Sequence, residues 1–456
     1  MKIKSTVFGL AVAGLALSPP VLAVDLVGVY EMAVDNDPRL QSAEFRRQAA
    51  GESKAVARAN LLPQIGAGAQ WNRGESTSDF QSPNFGTVDL GTNKLDTVNY
   101  DISLRQSLYR QANYESLDIA RGQISQAEAI YETAFQEFLL RVSERYFTVL
   151  TLLDGVTFAE AEEKAFQRQY EQAEQRFEVG LTAVTDVHEA RASYDNARAR
   201  AIVARNNLED AKEALREITG TLFEEYDALQ EQLPLVDPDP ANAEEWVQMA
   251  LQSNPNVLAA RAAVDIADSQ ARLARSGHFP TLDLVGSAGR FENKNSRFTQ
   301  AGDDGIQIVE GELTSDDWRV SLVFDVPLFQ GGRVSAQTRQ ARYLLDATGR
   351  DLEEVQRSAV RQTENAYRAV LAGIQEVEAF RQARISAESA LEATQAGFEV
   401  GTRTIVDVLI AEQRKYQAQR DNSVARHAYI LRHLQLKAVV GLLNPEDLRV
   451  VNQLLQ

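Results

Sequence analysis

Four histidines, His188, His278, His427 and His433, are the chain's only imidazoles, the groups best fitted to acid–base or metal chemistry near neutral pH. Their spacing assembles no site. His427 and His433 stand six residues apart, whereas two ligands on one helix face need three or four. All four read as surface or packing residues. Glu162-Glu163 and Glu353-Glu354 offer adjacent carboxylates, but both pairs lie in long helical runs and read as faces turned to water. The chain has no cysteine, so thiol nucleophiles and disulfides are unavailable. No Ser-His-Asp ordering, Walker loop or Gly-rich dinucleotide motif occurs. No catalytic group, metal or cofactor is expected, and the chain does not read as an enzyme.

What the sequence does instead is say one thing twice. Arg176 to Val187 reads RFEVGLTAVTDV, and 221 residues later Gly397 to Val408 reads GFEVGTRTIVDV. Both stretches interrupt helical runs, and the shared glycine supplies the backbone freedom of a tight helix–helix turn.

The elements that carry these turns are long. Residues 84–233 and 328–444 contain no proline, a residue that breaks helix interiors. Ala112 to Glu178 is rich in Ala, Glu, Gln, Arg and Leu, all good helix formers. Leu117, Ala120, Ile124, Ala127, Tyr131, Ala134 and Phe138 form one heptad seam, and Leu139, Val142, Tyr146, Val149, Leu153 and Val156 a second, so the helix packs on more than one face. Its 67 residues would run roughly 100 Å at ~1.5 Å each. A second helix is expected from Ala183 to Thr219. The same plan recurs as helices from Arg333 to Glu399 and from Ile405 to Val440.

Four short segments alternate apolar and polar residues or are rich in Gly and Ala: about 63–73, 97–109, 280–291 and 317–329. Each is about the ~9–11 residues of a membrane-spanning strand. Asn72 to Asp96 and Glu292 to Asp316, rich in Gly, Ser, Asn, Thr and Asp, read as long outer loops. Trp71 and Trp318 fall near strand ends, where aromatic girdles belong, and Trp246 reads as core. Asp37-Pro38 parallels Asn254-Pro255, and Leu62-Pro63 parallels Phe279-Pro280, so the whole unit is duplicated. The organisation is thus a first repeat over 24–233, a linker over 234–240, a second repeat over 241–441 and a C-terminal segment over 442–456. Residues 1–23, with Lys2 and Lys4, an apolar Val7 to Leu17 and a small-residue cleavage site at Val21-Leu22-Ala23, read as a secretory signal peptide. A net charge of −18 argues against nucleic acid as a partner.

Four strands leave open edges, and lipid tolerates none. A membrane reading therefore demands oligomerisation, and a trimer of four-stranded chains would give an even, twelve-stranded barrel.

Here the chain resembles the TolC family of outer-membrane exit ducts, from Asn36-Asp37-Pro38 to Gly441-Leu442-Leu443, most specifically in Gly401-Thr402-Arg403-Thr404-Ile405-Val406-Asp407-Val408. The resemblance implies a mainly α protein with membrane β structure: a homotrimer whose twelve-stranded outer-membrane β-barrel, held in lipid, continues as a long periplasmic α-helical barrel. It implies a passive channel of a tripartite efflux or type I secretion system, opened by a periplasmic adaptor protein and an inner-membrane pump. By the same resemblance, Arg403 bonds to Thr185 and Asp186 of a neighbouring hairpin and holds the entrance closed, while Asp407 rings the narrowest point. The tips Val179, Gly180, Leu181 and Val400, Gly401, Thr402 match those on which adaptors seat. Two positions depart from the family: Phe398 replaces a tyrosine at the gate, and Ile410 stands where a second gate aspartate is usual. The alternative is a non-conducting periplasmic coiled-coil scaffold, which leaves the strands without a purpose.

Overall fold

The structure, a computed structural model, describes residues 23–83, 86–302 and 305–455. Apart from its last residue, the expected leader lies outside them. The elements follow in the order α1 (Leu26–Asn36), α2 (Pro38–Gly51), α3 (Ser53–Ala59), β1 (Gln64–Ser82), β2 (Gly86–Arg110), α4 (Gln111–Glu178), α5 (Val184–Thr219), α6 (Ala243–Ser253), α7 (Pro255–Ser276), β3 (Thr281–Gly302), β4 (Gly305–Asp325), α8 (Arg333–Glu399), α9 (Ile405–Val440) and α10 (Pro445–Asn452). No helix among the described residues is long and apolar enough to cross a membrane.

Two compact units result, and they cut across the repeats. One gathers the segment up to Ser42, Ala134–Leu251 and the segment from Val360; the other gathers Ala43–Thr133 and Gln252–Ala359. Each takes matching pieces of both repeats, and α4 and α8 contribute to both units.

The second unit holds one antiparallel sheet in the order β1-β2-β3-β4, so β1 and β4 are its edges. Register places Ile65 opposite Leu104, Leu104 opposite Gly286 and Gly286 opposite Val320; the next row on that face is Ala67, Ile102, Ala288 and Trp318. Leu284 opposite Leu322 and Leu282 opposite Phe324 continue the face. The alternate rows are polar: Gly66, Ser103, Ser287 and Arg319, then Gly68, Asp101, Gly289 and Asp317. Side-chain period two thus sorts one oily face from one wet face. The oily face is open, with Ile65, Ile102, Trp318, Val320, Leu322 and Phe324 all exposed.

The strands outrun the sequence expectation. Most of Asn72 to Asp96 and Glu292 to Asp316, read as loops, pairs as strand, to Ser82 with Gly86 and Gly302 with Gly305. Backbone ladders do not depend on side-chain polarity, so a pairing already in register continues through residues suited to water on both faces. Trp71 and Trp318 consequently lie within their strands and not near the ends. The helical run before β1 breaks at Gly51-Glu52 into α2 and α3.

In the first unit the second seam of α4 forms the core. Phe138, Leu139, Val142, Tyr146, Phe147 and Val149 are fully buried, with Leu26 and Val29 of α1, Leu215 of α5, Val440 of α9 and Leu448 of α10. Trp246 is buried too, its Nε1 donating to the Pro240 carbonyl at 2.8 Å. Asp37 is buried because it serves two helices at once. Its Oδ1 accepts from Arg39 N at 2.7 Å and Leu40 N at 2.9 Å, opening α2, while Oδ2 accepts from Arg141 Nη2 of α4 at 2.7 Å. Glu162 overturns the expectation of a solvated carboxylate pair. It is fully buried, accepting from Arg200 Nη2 of α5 at 2.9 Å and Arg420 Nη1 of α9 at 3.2 Å. Two guanidinium partners make that burial tolerable, since an unpaired buried charge is costly. Among the histidines, His427 is buried, with Nδ1 2.9 Å from Thr151 Oγ1, and burial pulls its pKa down to about 4.

Two outcomes follow for stability. Asp37→Ala removes a helix cap and strands Arg141, so it should cost about 3 kcal/mol, read as a lower denaturation midpoint of the first unit. His427 is neutral when folded and titrates at about 4, below its free value of 6.5, so the unfolded chain takes the proton first. Its contribution to stability is lost as pH falls from 6.5 towards 4, and melting temperature should drop less between pH 7 and 5 in His427→Asn than in the wild type.

Candidate functional site

The twin stretches fold into twin turns. After α4, Leu181 N donates to Arg176 O at 2.8 Å and Gly180 N to Phe177 O at 2.9 Å. After α8, Thr402 N donates to Gly397 O at 2.8 Å and Gly401 N to Phe398 O at 3.1 Å. Both are Schellman closures, with Gly180 at φ 74° and Gly401 at φ 78°. A Cβ at either position would meet nothing within 4 Å, so it is the left-handed dihedral that asks for glycine.

The helices that leave the turns start differently. Thr404 opens α9 with a reciprocal capping box: its Oγ1 accepts from Asp407 N at 3.3 Å, and Asp407 Oδ2 accepts from Thr404 N at 3.0 Å and Thr404 Oγ1 at 2.9 Å. These bonds, the backbone one foremost, hold the Asp407 carboxyl below the ordinary aspartate range, with the Arg403 charge adding to them. At the equivalent start of α5, Ala183 has no side chain to cap with, and Asp186 accepts the hydroxyl of Thr182. The sequence pattern Thr-x-x-Asp before an apolar run marks a capping box, so the role of Thr404 was open to sequence reading.

Arg403 is exposed and makes no ion pair among the described residues. Its stem lies over Gly397, where an added Cβ would come within 2.8 Å of Arg403 Cγ. Thr185 is exposed and Asp186 half-exposed. The chain does not bring Arg403 onto its own Asp186 or Thr185. It brings the two tips together through Phe398, whose half-buried ring packs against a cluster holding Phe166, Ala173, Ala190, Ile405 and Leu409 and against a second holding Leu391, Val408 and Ala411. The Arg176 guanidinium sits 4.9 Å from the centre of that ring, a cation–π distance. Arg176, Thr182, Asp186, Phe398 and Ile405 line one small recess where the tips meet. Nothing local in the sequence marks Arg176, because its partner lies in the other repeat.

The outer surfaces of the turns are apolar and bare. Val179, Leu181 and Val400 are 68 %, 73 % and 75 % exposed. Gly180, Gly401 and Thr402 are exposed beside them. Among the described residues no group of three or more His, Asp or Glu side chains could hold a metal ion.

The outer membrane efflux protein family model matches residues 29–221 and 246–442, one match to each repeat. The chain is 38% identical over 436 residues to the outer membrane protein TolC of Vibrio cholerae serotype O1, covering 96% of this chain and 95% of that protein. It is 29% identical to the alkaline protease secretion protein AprF of Pseudomonas aeruginosa, over 96% of this chain and 88% of the other. The solved structure of the outer membrane protein VceC of Vibrio cholerae superposes with a TM-score of 0.71 at 20% identity, over 91% of this chain and 96% of that one. The duplicated hairpins, the two-faced sheet and these matches agree: the chain belongs to the outer membrane efflux protein family.

Proposed function

We propose that the chain is an outer-membrane exit duct for efflux or type I secretion, working as a homotrimer that an adaptor protein and an inner-membrane pump open from the periplasm. The observation that carries this is the sheet. Its exposed oily face fits lipid, its opposite face fits water, and its edges β1 and β4 have no partner strand among the described residues. From Trp318 to Phe324 the oily side chains of β4 span ~20 Å at ~3.4 Å per residue, close to the apolar band of an outer-membrane barrel. In lipid the edges must be paired, and joining β1 of one protomer to β4 of the next in a ring of three closes twelve strands. The duct is passive, because the sequence carries no nucleotide-binding motif.

The gate belongs at the tips. The free guanidinium of Arg403 reaches for Thr185 and Asp186 of a neighbouring protomer, and Asp186 holds the Thr182 hydroxyl through one carboxylate oxygen, leaving the other for the guanidinium. An exposed pair is worth about 0–1 kcal/mol, so three copies give a few. Moving a gate from 1:99 to 99:1 takes about 5.5 kcal/mol, so the links bias the gate and helix packing supplies the remainder. Phe398 has no hydroxyl to add a further link, and it meets Arg176 through its ring instead. Asp407, kept ionised by its cap, makes the entrance favour cations. With Ile410 in place of a second acid, the ring carries three carboxylates. The bare apolar Val179, Leu181 and Val400 are the seats for an adaptor's helical hairpins.

Single-channel recording in a planar bilayer tests the duct. Wild type should give small cation-favouring steps, and Arg403→Ala should give larger ones; a correctly assembled protein that never conducts would leave only the scaffold reading. Leu322→Arg places a charge on the oily face and should cost about 2–4 kcal/mol in the membrane. On a gel without boiling, its trimer should fall apart at a lower temperature than that of wild type.

A further inference from the structure

The two ends of the sheet carry opposite charge. Residues 72–96 and 292–316, which run out to the hairpin turns, hold ten acidic residues against four basic ones. The segments joining the sheet to its helices, residues 53–63, 106–114, 269–282 and 326–341, hold seven Lys or Arg and no Asp or Glu. In a chain of net charge −18 that bias is local and strong. All four joining segments belong to the second unit.

Two of these seven bases have acidic partners: Arg110 is held by Asp283 at 2.9 Å, and Arg272 by Glu115 at 2.8 Å and by Asp268. The other five, Lys54, Arg58, Arg275, Arg333 and Arg339, are exposed and make no ion pair among the described residues. Arg333 donates to the side-chain oxygen of Gln330 at 2.8 Å, a neutral partner. The bordering strand acids, Asp283 and Asp325, stand on the wet face, and Glu115 is buried. A neighbour in a closed ring adds copies of these same four segments, so it brings no acid within them.

Each junction is also apolar and bare. Leu62, Leu108, Tyr109, Phe279, Leu328 and Phe329 are exposed, the last two at 93 % and 87 %. Arg58, Arg275 and Arg333 each stand four residues from one of them, at Leu62, Phe279 and Phe329. The exits of α3 and α7 share one geometry. Leu61 N donates to Arg58 O at 2.9 Å and Leu62 N to Ala59 O at 3.1 Å; His278 N donates to Arg275 O at 3.1 Å and Phe279 N to Ser276 O at 2.9 Å. An oily band bordered by free guanidinium groups matches the profile of a lipid, acyl chain first and phosphate next.

We propose that this helix-side rim binds anionic phospholipid, its acyl chains on the oily face and on Leu328 and Phe329, its phosphate on Arg58, Arg275 or Arg333. Arginine suits phosphate because its planar fork donates two parallel N–H bonds. The inference rests on the reading of the oily face as lipid-facing, and adds which lipid that face selects and at which end. The acidic hairpin end repels the same headgroups, so selection is confined to the leaflet at the helix end.

The test is native mass spectrometry of the full-length protein released from nanodiscs of equimolar phosphatidylglycerol and phosphatidylcholine with identical acyl chains. Wild type should keep phosphatidylglycerol over phosphatidylcholine by at least about tenfold, since each basic residue near an anionic surface is worth about fivefold. Arg58→Gln, Arg275→Gln and Arg333→Gln together should bring that ratio to within about twofold of parity. Arg350→Gln with Arg357→Gln, further along α8, should leave it unchanged. All five arginines are exposed, and an unboiled gel checks that each variant assembles. Parity in the wild type, or an equal loss in the two variants, overturns the inference. Protein that enters the nanodisc and conducts in a bilayer yet shows parity leaves the duct reading standing, whereas protein that never enters lipid removes both.

Discussion

In lipid, every backbone N–H and C=O must find a partner within the protein, because no water is there to take its place. That rule governs this molecule. A four-stranded sheet with one oily face cannot satisfy it alone, since β1 and β4 each leave an edge of unpaired groups. Closure with copies of itself is the economical answer, because it pairs both edges without any further strand. The duplication suits this arrangement. Each repeat delivers two strands, one long helix and one shorter one, so a chain presents two similar hairpins to its surroundings.

Much of this was legible in the residues. Alternation at 97–109 and 317–329 placed the strands, missing proline marked the long helices, and Gly180 and Gly401 marked the turns. Polar hairpin ends were not legible. Gly, Ser, Asn and Thr describe a loop as well as they describe a ladder with water on both faces, and only pairing distinguishes them. Long-range ion pairs were equally hidden. Glu162 looks like any surface glutamate until Arg200 and Arg420, 38 and 258 positions away, close on it. The contact of Arg176 with Phe398 escaped for the same reason, since each lies in a different repeat.

Burying a carboxylate between two arginines is a weak way to gain stability and a good way to specify which helices meet, because a shifted register would leave the charge alone. Glu162 on α4 has that effect on α5 and α9. Asp37 does the same nearer the chain start, fixing where α2 begins relative to α4. Apolar seams favour close packing of many kinds, and these few polar ties select one among them.

The two turns share a backbone and differ in how the next helix is fastened. Thr404 and Asp407 clasp each other, whereas Ala183 holds nothing. A missing N-cap side chain is worth ~0.5–2 kcal/mol. The first turn of α5 therefore opens at lower cost than the first turn of α9, and local unfolding at the two turns starts on the Ala183 side.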